Sequence, residues 1–270
     1  MTIEKDHFVI RTSDLLNATR DFEALGFVVT QGSETKEGYN ALIIFPDDSY
    51  LELIAYKRTV SLQAWSWFRR RGWVRRKAEG EYAYIARLWN HWVPRHREGW
   101  LDACVKVSGL AGYVDAARER GLNARHMIYT RHLASGMDVS WRMGGGLDLK
   151  LPFLLEDVTP RDRRLPTRLD RRHPNGVTGT SGVKFGAKDL SASIEQHTHL
   201  FGHAPDDVTE TEARYNLPNF VYTICKVAPD DDVGEGLQEV TLISPEASAP
   251  QQLDINLTHG ARIIIAPPAS

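Results

Sequence analysis

The chain has 270 residues, of which 42% are hydrophobic, and it carries a formal net charge of −2 with a pI near 6.6. This composition is typical of a globular protein and excludes a polyanion-binding surface as the dominant feature. Two distant cysteines, Cys104 and Cys225, exclude a disulfide framework and predict a cytoplasmic location. A signal-peptide pattern and a long apolar run are both missing from the sequence, so no membrane association is expected.

The first predicted unit, residues 1–57, has the order β-α-β-β-β. The alternating "HFVIR" predicts a strand, and a helix follows it with a cap at Ser13 or Asp14 and an end at Gly26. Further strands are predicted at "FVVT", "NALIIF" and "YLELIAY". In the last of these, Glu52 lies among apolar and aromatic residues, where a buried carboxylate without a partner would be costly.

Residues 58–99 form a predicted helical insert that is rich in tryptophan and arginine. Six of the seven tryptophans lie between positions 65 and 100. The pattern fits a lid over a ligand cavity, a segment that packs its tryptophans on the sheet edge, or a surface that stacks on nucleic acid. Acidic residues interrupt the basic run, so no nucleic-acid partner is expected.

A second copy of the β-α-β-β-β unit is predicted in residues 100–157. Residues 102–122 align under residues 7–27 without a gap, which places Gly121 under Gly26. Strands near "MDVSWRM" and "KLPFLLE", separated by a glycine-rich turn, complete this copy. An internal repeat of this kind indicates a modular fold.

The remaining chain is less regular. Residues 158–181 contain several prolines and arginines and are predicted to be a linker. Residues 182–270 begin with a strand and a helix at "GVKFGAKDLSASIEQHTHLFG", and further short strands follow. We interpret them as a third, degenerate copy. The helix carries His197, His199 and His203, whose spacing does not converge on one face, so they are predicted to be solvent-exposed.

Five segments carry a resemblance to a known family. "DHFVIRTSDL", "GYNALIIFPDDSYLELIAY", "DVSWRM", "LPFLLED" and "HPNG", in this order, resemble the glyoxalase-like group of the vicinal oxygen chelate superfamily. The resemblance covers about residues 5–176. It implies an α+β fold in which paired βαβββ modules form curved mixed sheets around a cavity. Its members include isomerases, ring-cleaving oxygenases, lyases and non-catalytic binders, so the reaction stays open.

The resemblance also implies a metal position at His7 and Glu52. Metal-binding members take a histidine from the first strand and a glutamate from the fourth, and strand alternation puts both side chains on the cavity face. Together they could hold Zn, Mn, Fe or Ni. In the second copy, Asp102 aligns with His7, but the apolar "LPFL" aligns with Glu52. One ligand is therefore missing, and a metal-free site is an equal expectation.

Without a metal, Glu52 is predicted to be a general base with His7 as its partner. A carboxylate in an apolar cavity holds a proton more tightly, which suits proton removal next to a carbonyl. The alternative is a hydrogen-bonded pair with a structural role only. We predict a lyase or isomerase for a small oxygenated molecule, with a non-catalytic small-molecule binding protein as the alternative.

Further substrate-binding residues are predicted around this pair: Asn40, Tyr50, Asp102, Trp141, Arg142 and His173. Trp141 and Arg142 point to opposite faces of one strand, so one of them should reach the cavity and Arg142 could otherwise pair with an acid. Asn40 and His173 could equally be strand-end and turn residues. The expected partners are a small-molecule substrate and, because the third copy is unpaired, a second copy of the chain.

Overall fold

The computed structural model describes residues 2–34, 38–57, 92, 97–132, 136–146, 149–165, 171–228 and 234–268. The predicted helical insert, residues 58–99, lies outside the described residues except for Trp92 and its last three positions. Within the described chain, no helix is both long and apolar enough to cross a lipid bilayer.

The first unit has the predicted order. Its elements are β1 (Ile3–Arg11), α1 (Leu15–Ala24), β2 (Thr30–Glu34), β3 (Gly38–Ile44) and β4 (Tyr50–Tyr56). The Asp14 carboxylate accepts hydrogen bonds from the first turn of α1 and so begins the helix. The strand predicted at "FVVT" starts only at Thr30. The Phe27 amide still bonds to the Phe22 carbonyl of the helix end, and the Val28 amide bonds to His173 instead of a neighbouring strand.

The second unit joins the first in one eight-stranded sheet. Its elements are β5 (Gly99–Val107), α2 (Leu110–Glu119), β6 (Ala124–His132), β7 (Asp138–Gly146) and β8 (Phe153–Asp157), followed by a 3₁₀ turn at Arg161–Arg163. β1 pairs antiparallel with β5, which gives the order β2-β3-β4-β1-β5-β8-β7-β6. The predicted α+β fold of paired modules is confirmed.

The remaining elements form a second, seven-stranded sheet with one helix. They are β9 (Gly179–Ala187), α3 (Leu190–Phe201), β10 (Asp207–Val208), β11 (Glu212–Leu217), β12 (Phe220–Lys226), β13 (Gly236–Ile243), β14 (Gln251–Gln252) and β15 (Arg262–Ala266). β9 pairs parallel with β12 and antiparallel with β13, as β1 does with β4 and β5. β13 and β15 repeat the parallel pairing of β5 and β8. The predicted third copy thus contains the strand pairs of two units.

One hydrophobic core lies between the two sheets. Phe8 and Ile10 of β1 share this core with Phe185 of β9 and Tyr222 of β12, and the helices contribute to it. Fully burying one such side chain stabilises the fold by about 1.5–3 kcal/mol. The Tyr113 hydroxyl also donates to the Leu200 carbonyl at 2.6 Å, which ties α2 to α3. Because the helix-bearing faces form this core, the opposite face of the first sheet is left to line a cavity.

The solvent exposure predicted for the α3 histidines is wrong for His197. This residue is fully buried, and its Nδ1 lies 2.7 Å from the Ser193 carbonyl oxygen while its Nε2 lies 2.8 Å from the Tyr222 hydroxyl. Burial lowers the pKa of His197 to about 4. His199 is half-buried and His203 is exposed.

Candidate active site

The first sheet curls around a cavity of about 510 Å³. The two edge strands of this sheet, β2 and β6, approach each other across the cavity. Arg131 of β6 donates from Nη1 to the Ser33 hydroxyl of β2 at 3.0 Å. The sheet is therefore curved so strongly that its two edge strands contact each other through side chains, and its inner face surrounds the cavity on most sides.

His7 and Glu52 meet on the wall of this cavity. Strand alternation directs both side chains to the inner face, and His7 Nε2 lies 3.6 Å from Glu52 Oε2. This separation is longer than a hydrogen bond. The His7 side chain is 5% exposed and that of Glu52 is 17% exposed, so the carboxylate reaches the cavity. The structure brings the two residues together, and their catalytic roles stay a prediction.

Asn40 orients Glu52. The Asn40 side-chain oxygen accepts a hydrogen bond from the Ser33 amide at 2.6 Å, so its NH₂ group faces Glu52 and donates to Oε1 at 2.6 Å. Glu52 therefore has a polar partner in a largely apolar strand, which offsets the desolvation cost of its carboxylate. Asn40 also lines the cavity, which is where a substrate-binding residue has to lie.

A β-bulge in β1 adds an acid that sequence analysis missed. Lys5 pairs with Val105 and His7 pairs with Cys104, so Asp6 is the extra residue of the bulge. The bulge puts Asp6 beside His7, with 2.7 Å between Asp6 Oδ1 and His7 Nδ1. Strict alternation would have placed these neighbours on opposite faces. The sequence shows that Asp6 precedes His7 in a predicted strand. It does not show that a bulge brings the two side chains together.

Two arginines from the segment after β8 neutralise Asp6. Arg161 Nη1 donates to Asp6 Oδ2, and Arg164 Nη2 lies 3.2 Å from the same oxygen. Burial by itself raises the pKa of Asp6, but Arg164, His7 and Arg161 together hold it well below its usual range. The ionised Asp6 keeps a proton on His7 Nδ1, which leaves Nε2 directed at the cavity. Neither arginine was predicted from the sequence to belong to the site.

Tyr50 packs against His7. The two rings stack with 4.5 Å between their centroids, and the Tyr50 hydroxyl accepts a hydrogen bond from Arg164 Nη1 at 2.8 Å. Burial raises the pKa of Tyr50 well above its usual range, so the phenol stays neutral. Tyr50 lines the cavity and restricts rotation of the imidazole.

Among its described residues, the second unit has no polar group that lines the cavity at the positions equivalent to His7 and Glu52. Asp102 is buried away from the cavity lining, and its Oδ2 accepts a hydrogen bond from the Trp92 indole at 2.9 Å. Phe153 pairs with Cys104 in the way that Glu52 pairs with Val9, so it holds the position equivalent to Glu52. The ligand that the sequence indicated as missing is a phenyl ring.

Trp141 and Arg142 are divided between the two faces of β7. Trp141 lines the cavity. Arg142 lies on the helix side and donates to Glu156, which also accepts hydrogen bonds from the amides at the start of α2. The substrate-binding role predicted for Arg142 is therefore not supported, and the alternative of a pair with an acid is what the structure shows.

His173 has a structural position. Its Nδ1 accepts a hydrogen bond from the Val28 amide at 2.9 Å, and its Nε2 lies 3.1 Å from the Ile44 carbonyl oxygen. The ring is buried against Phe27 and Phe45 and does not line the cavity. It ties the end of the predicted linker to the first unit, so a role in substrate binding is not supported.

The described residues contain one cluster with the geometry of a metal site. The ligand atoms of Asp6, His7 and Cys104 lie within 4.8 Å of one another. The Asp6 oxygens, however, are already bonded to two arginines and to His7, and burial raises the pKa of Cys104 well above its usual range. A neutral thiol and a paired carboxylate are poor ligands. The remaining donors on the cavity side, His7 Nε2 and Glu52, fall short of the three protein ligands of a catalytic zinc site.

A curved sheet of paired βαβββ modules around a cavity defines the vicinal oxygen chelate fold. The model of the glyoxalase-like domain family matches residues 6–201. The chain therefore belongs to the glyoxalase-like domain family. No curated protein was found to match the chain.

Several solved structures share the fold. A hypothetical protein from Staphylococcus aureus aligns with a TM-score of 0.73 at 14% identity, over 99% of this chain and 100% of that one. A triple mutant of 4-hydroxymandelate synthase from Streptomyces coelicolor gives 0.58 at 14% identity, over 90% and 71%. A fusion of a xylose isomerase-like TIM barrel with 4-hydroxyphenylpyruvate dioxygenase gives 0.59 at 9% identity, over 98% and 49%. Identities this low show likeness of fold alone.

Proposed function

We propose that the chain is an isomerase- or lyase-type enzyme that removes a proton from a carbon next to a carbonyl group of a small oxygenated molecule. The observation that carries this proposal is the pair formed by His7 Nε2 and Glu52 Oε2, 3.6 Å apart at the cavity wall. Because the two atoms are not hydrogen-bonded to each other, both can contact a substrate in the cavity. General acid–base catalysis of this kind contributes about 10²–10⁴-fold to a rate.

In the proposed reaction Glu52 is the general base and His7 is the general acid. Glu52 takes the proton from the carbon, and the electron pair of that C–H bond moves to form an enol. His7 acts as the general acid of this step: its Nε2–H is given to the carbonyl oxygen, while its Nδ1–H stays hydrogen-bonded to the Asp6 carboxylate. In an isomerisation the first carbon carries a hydroxyl group, so the intermediate is an enediol: a proton returns to the former carbonyl carbon, and the hydroxyl on the first carbon loses its proton and becomes the new carbonyl. In a lyase reaction the enol hydroxyl returns its proton to His7, and the electrons expel a leaving group from the carbon on the other side of the first carbon.

The neighbours of the pair support these roles. Asn40 holds the Glu52 carboxylate through Oε1 and so leaves Oε2 free to act as the base. Tyr50 fixes the plane of the His7 ring, and Asp6 holds its Nδ1–H. Holding a base in a productive geometry lowers the barrier because the reacting groups need no reorganisation.

The ligand set favours a form of this mechanism without a metal. The Asp6, His7 and Cys104 cluster is poorly suited to a divalent cation, and Phe153 holds the place of a further carboxylate. Elemental analysis of protein purified without added metal tests this point. Stoichiometric Zn, Mn, Fe or Ni that is lost in both His7→Ala and Glu52→Ala would contradict it.

A second candidate function is binding without catalysis. Its support is the largely apolar wall formed by Trp92, Met143, Phe153 and Leu155, which suits a hydrophobic ligand. A substrate screen with the Glu52→Gln variant separates the two candidates. For an enzyme we expect turnover to fall by about 10²-fold or more with affinity retained, and Thr223→Val in the second sheet should have no effect. Unchanged turnover in Glu52→Gln would remove the acid from the mechanism.

A further inference from the structure

The cavity contains a cation that the proposed proton transfer does not use. Arg131 lines the cavity at the edge strand β6, and it forms no ion pair with any carboxylate in the part of the chain that the structure describes. Its Nε is shielded from solvent and has no hydrogen-bond partner among the described residues. A buried donor left unpaired costs about 1–3 kcal/mol, so a ligand that accepts a hydrogen bond there would be stabilised.

The other arginines of the cavity differ from Arg131. Arg164 is bonded to Asp6, Asp157 and Tyr50, which occupy its guanidinium. Arg163 is exposed at the rim. Arg131 is therefore the arginine of the described cavity wall that combines a shielded position with an unused donor.

Arg131 is also connected to the proposed base. Its Nη1 donates to Ser33, the Ser33 amide donates to Asn40, and Asn40 donates to Glu52. This chain of hydrogen bonds puts the guanidinium on the same side of the cavity as the carboxylate. An anionic group held by Arg131 would thus lie near the carbon from which Glu52 removes a proton.

The surroundings of Arg131 are aromatic and apolar. Its guanidinium carbon lies 5.6 Å from the centre of the Trp141 ring, within cation–π range. Trp141, Trp92, Phe153 and Met143 continue the wall from this point. The cavity thus offers a fork of N–H donors next to flat, apolar surfaces.

We infer that Arg131 binds the carboxylate of the substrate, which identifies the ligand class as organic carboxylates with an apolar or aromatic body. A planar guanidinium matches a carboxylate with two parallel hydrogen bonds, and Nε with one Nη nitrogen forms such a fork. The inference rests on the proposed function for the reacting end of the molecule. It adds the class of substrate and the residue that selects it.

The test compares a carboxylate with its uncharged counterpart. Calorimetry measures Kd of the full chain for 3-phenylpropanoate and 3-phenylpropanamide, which have the same shape but differ in charge. We expect the acid to bind about tenfold more tightly or better, and Arg131→Gln to bring the two Kd values within about threefold of each other. Arg131→Lys keeps the charge without the planar fork and should retain an intermediate ratio.

Two controls separate binding from folding. Arg118→Gln removes a half-exposed arginine of α2 and should leave the ratio unchanged. Ser33→Ala breaks the contact between the edge strands while Arg131 stays, so the preference for the acid should persist. Equal Kd values in the wild type, no binding of the acid, or a ratio that survives in a folded Arg131→Gln protein would overturn the inference.

The same measurement distinguishes this inference from the proposed function. Glu52→Gln should keep the preference for the acid, because Arg131 is intact. A preserved preference with no turnover of any carboxylate by the wild type would overturn the proposed reaction alone. Turnover of a carboxylate substrate that is unaffected by Arg131→Gln would overturn the inference alone.

Discussion

The two sheets of the molecule have the same strand pairing but different chemistry on their inner faces. In the first sheet, His7 of β1 pairs with Tyr50 of β4, and Glu52 lies two residues further along β4. The corresponding positions on β9 and β12 of the second sheet, read from the same pairing, are Gly182 and Thr223. The same strand pairing thus occurs in both sheets, and the side chains on it determine which sheet carries a histidine next to a carboxylate.

The second sheet also differs in how it uses charge. Its inner face borders a cavity of about 390 Å³ that is lined by Lys184, Glu212 and Glu239 among others. Lys184 Nζ lies 3.9 Å from Glu212 and 3.7 Å from Glu239, so these charges compensate one another. In the first cavity, by contrast, Arg131 and Glu52 both line the wall and form no ion pair with each other.

Substitution of the two bulge residues should give the largest difference between the sheets in the free energy of unfolding. Asp6 in β1 and Ser181 in β9 are the extra residues at equivalent positions. Asp6→Ala leaves two arginines without their buried carboxylate, so we expect the free energy of unfolding to fall by about 3–5 kcal/mol. Ser181→Ala is the matched control and should cost less than about 1 kcal/mol. Urea unfolding of both variants measures the free energy of unfolding. A similar loss in each would show that the buried Asp6 carboxylate has no special role in stability.

The next largest expected effect is the pH dependence of stability that the buried His197 causes. His197 under the second sheet has a folded pKa of about 4, below the value near 6.5 of an unfolded histidine. The unfolded state therefore binds a proton first, so stability is lost as the pH falls from about 6.5 to about 4, with a total near 3 kcal/mol. Wild type and His197→Gln should differ by this pH dependence when unfolding is measured at pH 7.5 and 4.5.

The exposed His203 is the control for that measurement. His203→Gln should keep the wild-type dependence on pH, because this ring is solvated in the folded state. A dependence that is unchanged in His197→Gln would show that the buried ring does not control acid stability.

The smallest expected effect concerns Tyr50. Tyr50→Phe removes the acceptor of Arg164 but keeps the ring on His7, and Arg164 retains Asp6 and Asp157. We expect a loss of about 1 kcal/mol in the free energy of unfolding. Tyr39→Phe on the exposed part of β3 is the matched control and should be near zero. Equal losses would mean that the Arg164 contact contributes nothing measurable.

The repeat and the alternation of the strands were sufficient to predict much of this molecule. The gapless match of residues 102–122 to residues 7–27 predicted paired modules, and period-two alternation predicted that His7 and Glu52 share a face. Both depend on local chain geometry that every strand obeys. Likewise, the apolar "LPFL" correctly indicated that no carboxylate stands opposite Glu52.

The rest depended on features that local patterns do not contain. The bulge at Asp6 shifts alternation by one residue, and Arg164 reaches the site only because the chain returns from β8 to β1. Arg131 joins the cavity because the sheet curls until its edges approach each other. The repeat implied a strand after α2, but the residues of β6, to which Arg131 belongs, were not assigned to it, since the exposed middle of β6 shows little apolar periodicity.

The contact between Arg131 and Ser33 has a consequence for access. β2 and β6 are the two ends of the described strand order, so the ring of eight strands is joined there by side chains instead of a backbone ladder. Opening such a seam costs about one hydrogen bond, on the order of 1 kcal/mol. Separating two paired strands would break several backbone hydrogen bonds. We therefore expect this seam to open more readily for an entering ligand than any of the seven strand-to-strand ladders of the described sheet.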